Sequence, residues 1–177
     1  MAKIKVKNVR ISFPSLFRKA VFNGEETKFE GTFLLDKNED ADVIAEMKDA
    51  IADMLKNNLK GAKLPSDKIC LKDGDDSGRD EYEGHFTIKA SNAKRPIVID
   101  RDKTPLSEDD NRIYSGCRVN GIIELWAQNN QWGKRINANL LGVQFFKDDG
   151  PFGDGGVSAS VSDFDAFGDD DDMEDFV

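Results

Sequence analysis

The stretch from Cys117 to Phe146, CRVNGIIELWAQNNQWGKRINANLLGVQFF, constrains the fold more than any other part of the chain. Cys117, Val119, Gly121, Ile123, Leu125 and Ala127 alternate with Arg118, Asn120, Ile122, Glu124 and Trp126. A period of two puts each set on its own face of a strand. Gln128 to Gly133 supplies turn chemistry, because asparagine and glycine tolerate positive φ. The return strand opens with Lys134 and Arg135 and alternates Ile136, Ala138 and Leu140 against Asn137, Asn139 and Leu141. Gly142 predicts a bulge before Val143, Phe145 and Phe146. The hairpin is thus expected to be apolar on one side, with cations, amides and aromatic surface on the other. Such a face suits the floor of a nucleic-acid groove.

Upstream, Lys3 to Phe13 reads as a strand, with Lys3, Lys5 and Lys7 facing one way and Ile4 and Val6 the other. Apolar parity then moves to Val9, Ile11 and Phe13, which predicts a bulge near Asn8. Pro14-Ser15 ends the strand, and Gly24-Glu25-Glu26 reads as a bend. Lys28 to Leu35 is a second strand, with Phe29, Gly31, Phe33 and Leu35 on one face. Residues 39–60 carry Val43, Ile44, Met47, Ile51, Met54, Leu55 and Leu59 at helical spacing. Asn38 or Asp40 suits the helix start, and Lys56, Lys60 and Gly61 suit its end. Ile69-Cys70-Leu71 predicts a short strand, Tyr82 to Ala90 a longer one with Phe86 and Ile88 on one face, and Ile97-Val98-Ile99 another. This order predicts a mainly β barrel or sandwich with one amphipathic helix and long loops.

Charge is unevenly spread. The net charge is −9, which by itself argues against a nucleic-acid partner. Asp148 to Val177 holds eleven acids and no Lys or Arg, so residues 1–147 carry +2. The organisation expected is a domain over 1–147, a Gly/Asp linker over 148–156 and a disordered acidic tail over 157–177. A solubility role would account for the acids alone. Phe164, Phe167 and Phe176 set among them favour a docking peptide. Cys70 and Cys117 are too few for a disulfide framework and point to a reducing compartment. The start, MAKIKVKNVRI, alternates charge with apolar residues, unlike a signal peptide, and no apolar run reaches membrane-spanning length. A soluble intracellular protein is expected, with no membrane partner.

Catalytic and metal motifs are weak. Asp73, Asp75, Ser77 and Gly78 begin like a calcium loop, but its twelfth position is Gly84 and not a bidentate Glu. Cys70, His85 and Cys117 are three scattered candidates for a zinc site that needs four ligands. A single histidine limits triads, and His85 beside Phe86 reads as an edge or packing residue. No metal, cofactor or enzymatic activity is therefore expected; a carboxylate-metal nuclease is the minority reading. The positive signal is aromatic residues interleaved with cations: Phe13, Phe17 with Arg18-Lys19, Tyr82, Arg112 with Tyr114, and Trp126 and Trp132 with Lys134-Arg135. Single-strand binders combine a cationic groove with stacking side chains. Trp126 and several phenylalanines also suit a core, whereas Trp132, in a polar turn, is expected to face solvent or ligand.

Specific runs resemble a known family. Ser115-Gly116-Cys117, Val119-Asn120, Trp126-Ala127-Gln128-Asn129-Asn130, Gly133 to Ala138 and Gly142 to Phe145 are similar to the tailed-phage single-stranded-DNA-binding proteins. Asn8 to Pro14, Gly84-His85-Phe86, Ala90-Ser91 and Pro151-Phe152-Gly153 extend the resemblance over essentially the whole chain. The resemblance implies an OB-fold, a five-stranded Greek-key barrel with a helix between strands. It implies sequence-independent coating of single-stranded DNA in phage replication, recombination and repair, in the cytoplasm of the infected bacterial host. It also implies a tail that docks replication proteins (polymerase, helicase or primase) and competes with DNA for the groove. Asp169, Asp170, Asp171, Asp172, Glu174, Asp175 and Phe176 fit such a tail, with Phe176 penultimate and not terminal.

On this reading Phe17, Tyr114 and Trp132 are the expected stacking residues. Lys94, Arg95, Arg112, Lys134 and Arg135 are the expected phosphate contacts. A homodimer is left open. The alternative from another class is a protein-interaction module that binds no nucleic acid.

Overall fold

The computed structural model describes residues 1–152 together with residues 164 and 166. Nearly all of the linker beyond residue 152 and of the tail 157–177, including Asp169 to Phe176, lies outside the described residues. Phe164 is exposed.

The first strand, β1 (Ala2–Ser15), is long enough to serve two sides of a barrel. Its first part pairs antiparallel with β8 (Arg118–Asn130) and its last part with β4 (Phe29–Asp36). The change of partner needs a bend, and the register shifts between Val6 and Val9, where Asn8 sits at φ +53°. Ile4 and Val6 before the bulge and Val9 and Ile11 after it all point inward, as the parity switch predicts. Phe13 does not follow them: it is 46% exposed at φ +50° beside a second register shift. Ser12, opposite Thr32 on the outward face, is buried beside Tyr82, whose hydroxyl donates to its Oγ over 2.9 Å.

Between β1 and β4, residues expected as a bend form a separate small hairpin, β2 (Val21–Phe22) and β3 (Glu25–Glu26), turned at Asn23-Gly24. In β4, Gly31, Phe33 and Leu35 face the core. The helix α1 (Ala41–Asn57) follows and packs Ile44, Met47, Ile51 and Met54 into the barrel core beside β1 and β8. Asp40 occupies the N-cap position, but its carboxylate accepts the Asp36 N–H and does not cap the helix.

β5 (Leu71–Asp73) lies on the edge of β6 (His85–Asn92), which starts later than the sequence predicts because Tyr82 belongs to a short 3-10 turn. β7 (Ile97–Ile99) runs parallel to β9 (Gly133–Lys147). The ring β1–β4–β6–β9–β8 closes through the parallel pairing of Ser91 with Asn139. Five strands in this closed order, with one helix joining the second and third barrel strands, make an OB-fold.

The β8–β9 hairpin has the face assignment its alternation predicts. Cys117, Val119, Ile123 and Leu125 are fully buried, as are Ile136 and Leu140 across from them. Each such aliphatic side chain contributes roughly 1.5–3 kcal/mol by leaving water. The extra residue of the predicted bulge is Leu141, since Ile122 pairs with Gly142 and Ile123 with Leu140. The turn is tighter than expected: the ladder continues to Asn130 opposite Gly133, leaving only Gln131 and Trp132 at the tip. The Asn130 Oδ1 accepts the Trp132 N–H over 2.9 Å, and Gly133 at φ +105° closes the bend.

Candidate nucleic-acid interface

Outward-facing residues of β4, β6, β8 and β9 line a groove of about 470 Å³. Alternation dictates what they are, because each strand that sends aliphatic residues inward sends its intervening polar residues out. Thr32, Thr87, Lys89 and Ser91 form one wall, and Trp126, Gln128, Arg135, Asn137 and Asn139 form the other. Lys28 and Lys72 add cations at the margins.

Trp126 is held by a relay of amides. Its indole Nε1–H donates to Asn139 Oδ1 over 3.1 Å, and the Asn139 amide donates to Glu124 Oε1 over 3.5 Å. Next to it, Asn137 donates to Gln128 Oε1 over 2.8 Å, and Gln128 donates to Asn130 Oδ1 over 3.2 Å. The relay leaves a half-buried indole on an outward face, oriented by its polar edge. Such a ring offers a stacking surface at little further cost in side-chain entropy.

Two of the groove's cations are engaged. Arg135 donates to the Asp67 carbonyl over 3.1 Å, which ties the segment before β5 to the hairpin. The Lys89 ammonium lies 2.9 Å from the Glu30 carboxylate. Cys70 also lines the groove, and burial pushes its thiol up to about 11, so it stays a neutral thiol at neutral pH.

The expected site residues fall into three places. Trp132, Lys134 and Arg135 come together at the hairpin tip, with Trp132 78% exposed and Arg135 reaching the groove. Phe17, Lys94 and Arg95 form a second group. The Arg95 guanidinium lies 5.4 Å from the Phe17 ring, and exposed Lys94 sits in the turn that follows Ser91 of the groove wall. Arg112 and Tyr114 lie outside the groove lining. Arg112 stacks 4.3 Å from the Phe145 ring and 3.6 Å from the Asp100 carboxylate. The Tyr114 hydroxyl donates to Asp148 Oδ1 and accepts the Asp149 N–H.

These last contacts belong to a latch that binds the start of the linker. Arg118 bonds the Asp149 carboxylate at 2.8 Å, and the Arg10 guanidinium bonds the Gly150 carbonyl and stacks 4.0 Å from the Phe152 ring. The Phe152 N–H donates to the Ser115 carbonyl over 2.9 Å. Gly116, at φ +110°, makes room: a Cβ there would sit 2.5 Å from the Gly150 oxygen. The N–H of Gly150, with Arg118 and Arg10 beside it, holds the Asp149 carboxyl below the usual carboxylate range.

Trp126, Lys28, Lys72 and Lys89 are absent from the expected set. The signal for Trp126 was mixed, since its parity placed it with Arg118, Asn120 and Glu124 but also with Ile122. The calcium-like loop takes a protein cation instead: the Lys37 ammonium bridges the carboxylates of Asp73 and Asp75.

Comparison with known proteins identifies the family. A family profile described as Enterobacter phage Enc34, ssDNA-binding protein matches residues 2–177. Protein p50 of Acyrthosiphon pisum secondary endosymbiont phage 1 is 39% identical over 173 residues, 92% of each chain. The single-stranded DNA-binding protein from bacteriophage Enc34, solved in complex with ssDNA, superposes with a TM-score of 0.77 at 38% identity, covering 85% of this chain and 89% of that one. Gp2.5, a single-stranded DNA binding protein encoded by bacteriophage T7, aligns with a TM-score of 0.50 at 13% identity over 90% of this chain and 99% of that one, a likeness of fold alone. The profile match across the barrel, the latch and beyond means that this chain belongs to the Enc34 family of phage single-stranded-DNA-binding proteins.

Proposed function

We propose that this chain binds single-stranded DNA without sequence preference, in the groove between the β4–β6 wall and the β8–β9 hairpin. The observation that carries the reading is Trp126, anchored on an outward face by the Asn139 amide in a groove that Lys28, Lys72, Lys89 and Arg135 also line. Amides and an indole face accept any base, and cations meet the backbone, so affinity arises without a sequence code. Trp132, Lys134, Phe17, Lys94 and Arg95 extend the cationic and aromatic surface from the hairpin tip and from the turn after β6. Membership of the Enc34 family supports the same ligand.

The activity is binding, not catalysis, and its setting is phage DNA replication, recombination and repair in the cytoplasm of the infected host. The acidic tail is a docking peptide for a replication protein and a competitor for the groove. Its −8 charge over residues 157–177, tethered by a linker that holds three more acids, is at high local concentration near a mildly basic domain.

The test is a titration of fluorescently labelled poly-dT, with and without EDTA and with duplex of equal length as competitor. Tight binding that EDTA leaves intact, without strand cleavage and poorly displaced by duplex, is the expected result. Salt-independent failure to bind would overturn the reading in favour of a protein-interaction module.

A further inference from the structure

The outward face of β1 carries three cations that the groove does not use. Lys3, Lys5 and Lys7 are exposed and alternate with buried Ile4 and Val6. Among the described residues none of them enters an ion pair. Lysines on a strand with an unpaired edge can serve simply to prevent edge-to-edge association. Their register gives them a more specific place.

Ser91 stands opposite Asn139, Asn139 opposite Glu124, and Glu124 opposite Lys3. Residues opposed in this way share one face, so a single outward row crosses β6, β9, β8 and β1. Ser91 and Asn139 line the groove, and Asn139 holds the indole of Trp126. Lys3 therefore lies two strands beyond Asn139, about 10 Å away at ordinary strand spacing. From Lys3 the stripe continues along β1 with a step of roughly 6.6 Å between successive lysines. That step is close to the stride of phosphates on an extended single strand. Glu124 is the acid within this row, and Lys3 directly opposite offsets it.

We propose that Lys3, Lys5 and Lys7 form a phosphate track that receives the single strand as it leaves the groove over Trp126. The track lengthens the binding site beyond the groove and makes affinity depend on oligonucleotide length. This inference rests on the single-strand reading above, and the two can fail separately.

The experiment compares the full-length chain with the triple variant Lys3→Gln, Lys5→Gln, Lys7→Gln, titrated with dT oligomers of about 5 and about 16 nucleotides, near the limits of OB-fold site size. For the short oligomer, affinity is expected to stay within twofold of the unmodified chain. For the long one it is expected to fall at least fivefold at low salt. The slope of log K against log salt should become shallower by about 2, from three lost phosphate contacts.

Equal losses on both lengths, or none on the long oligomer, would overturn the track. Tighter binding of the long oligomer would overturn it too and assign the stripe to the chain's own acidic tail. A variant that binds normally but self-associates would mark edge protection alone. Failure of the unmodified chain to bind either oligomer would sink the single-strand reading itself, and the track with it.

Discussion

At the scale of single residues, the proposed binding groove turns on Trp126. Its ring is outward and half-buried, and its one polar atom is already bonded to Asn139. Trp126→Ala should therefore leave the fold intact and weaken single-strand binding by about 1–3 kcal/mol, the range for one stacked base. Trp126→Phe should recover most of that loss, because a π-face remains. Anisotropy titration beside a circular-dichroism melt checks both, and unchanged affinity in Trp126→Ala would remove the residue from the site. The alternation of β8 had already placed Trp126 among polar residues, yet a tryptophan in a strand also suits a core, and spacing alone does not separate the two. Arg112 and Tyr114 teach the complementary lesson. They are a cation and an aromatic two residues apart, but what occupies them is Phe145 and Asp148-Asp149, more than thirty positions away. Proximity in sequence identifies chemistry; only the closed barrel decides what lies across from it.

At the scale of elements, period-two patterns were legible wherever one face was wholly apolar. The β8–β9 hairpin, its Gly142 bulge and the bulge near Asn8 all follow from parity, because a slip of one residue would expose the entire apolar set. Phe13 broke the pattern where a left-handed residue re-aimed the chain, and β2–β3 escaped notice because two exposed residue pairs carry no burial signal. The latch is a third feature of this kind, an arrangement of contacts distant in sequence. Its contribution depends on the charge of Asp149. That carboxyl sits below its ordinary value in the fold, so its stabilisation is complete above the unfolded pKa of about 4 and fades as pH falls through the lower folded value. Asp149→Asn should cost about 1–2 kcal/mol at pH 7, the low end for a charge-assisted bond at a partly exposed site. The difference in melting temperature between the two proteins should narrow as pH drops below about 4. A gap independent of pH would mean that the ion pair contributes nothing and that the amide merely packs badly.

For the whole molecule, the decisive property is charge divided between two parts. A domain of +2 attracts a polyanion weakly, while the segment of −11 attached to it carries the same sign of charge as that ligand. The latch fixes the beginning of the linker against Arg10, Arg118 and Tyr114. On the proposed competition, a tethered weak ligand at an effective concentration on the order of millimolar would rival a short oligonucleotide but not a long one. Deleting residues 157–177 should therefore tighten binding of a short dT oligomer, most strongly at low salt. The advantage should shrink as added salt screens both the tail and the DNA phosphates. Long oligomers, with more phosphate contacts, should respond less to the deletion. The contrast between the two lengths separates true competition from a change in overall charge, which would shift both alike. Identical affinities with and without the tail across the salt series would overturn the competition and leave partner docking as the only part of the proposal for the tail still standing.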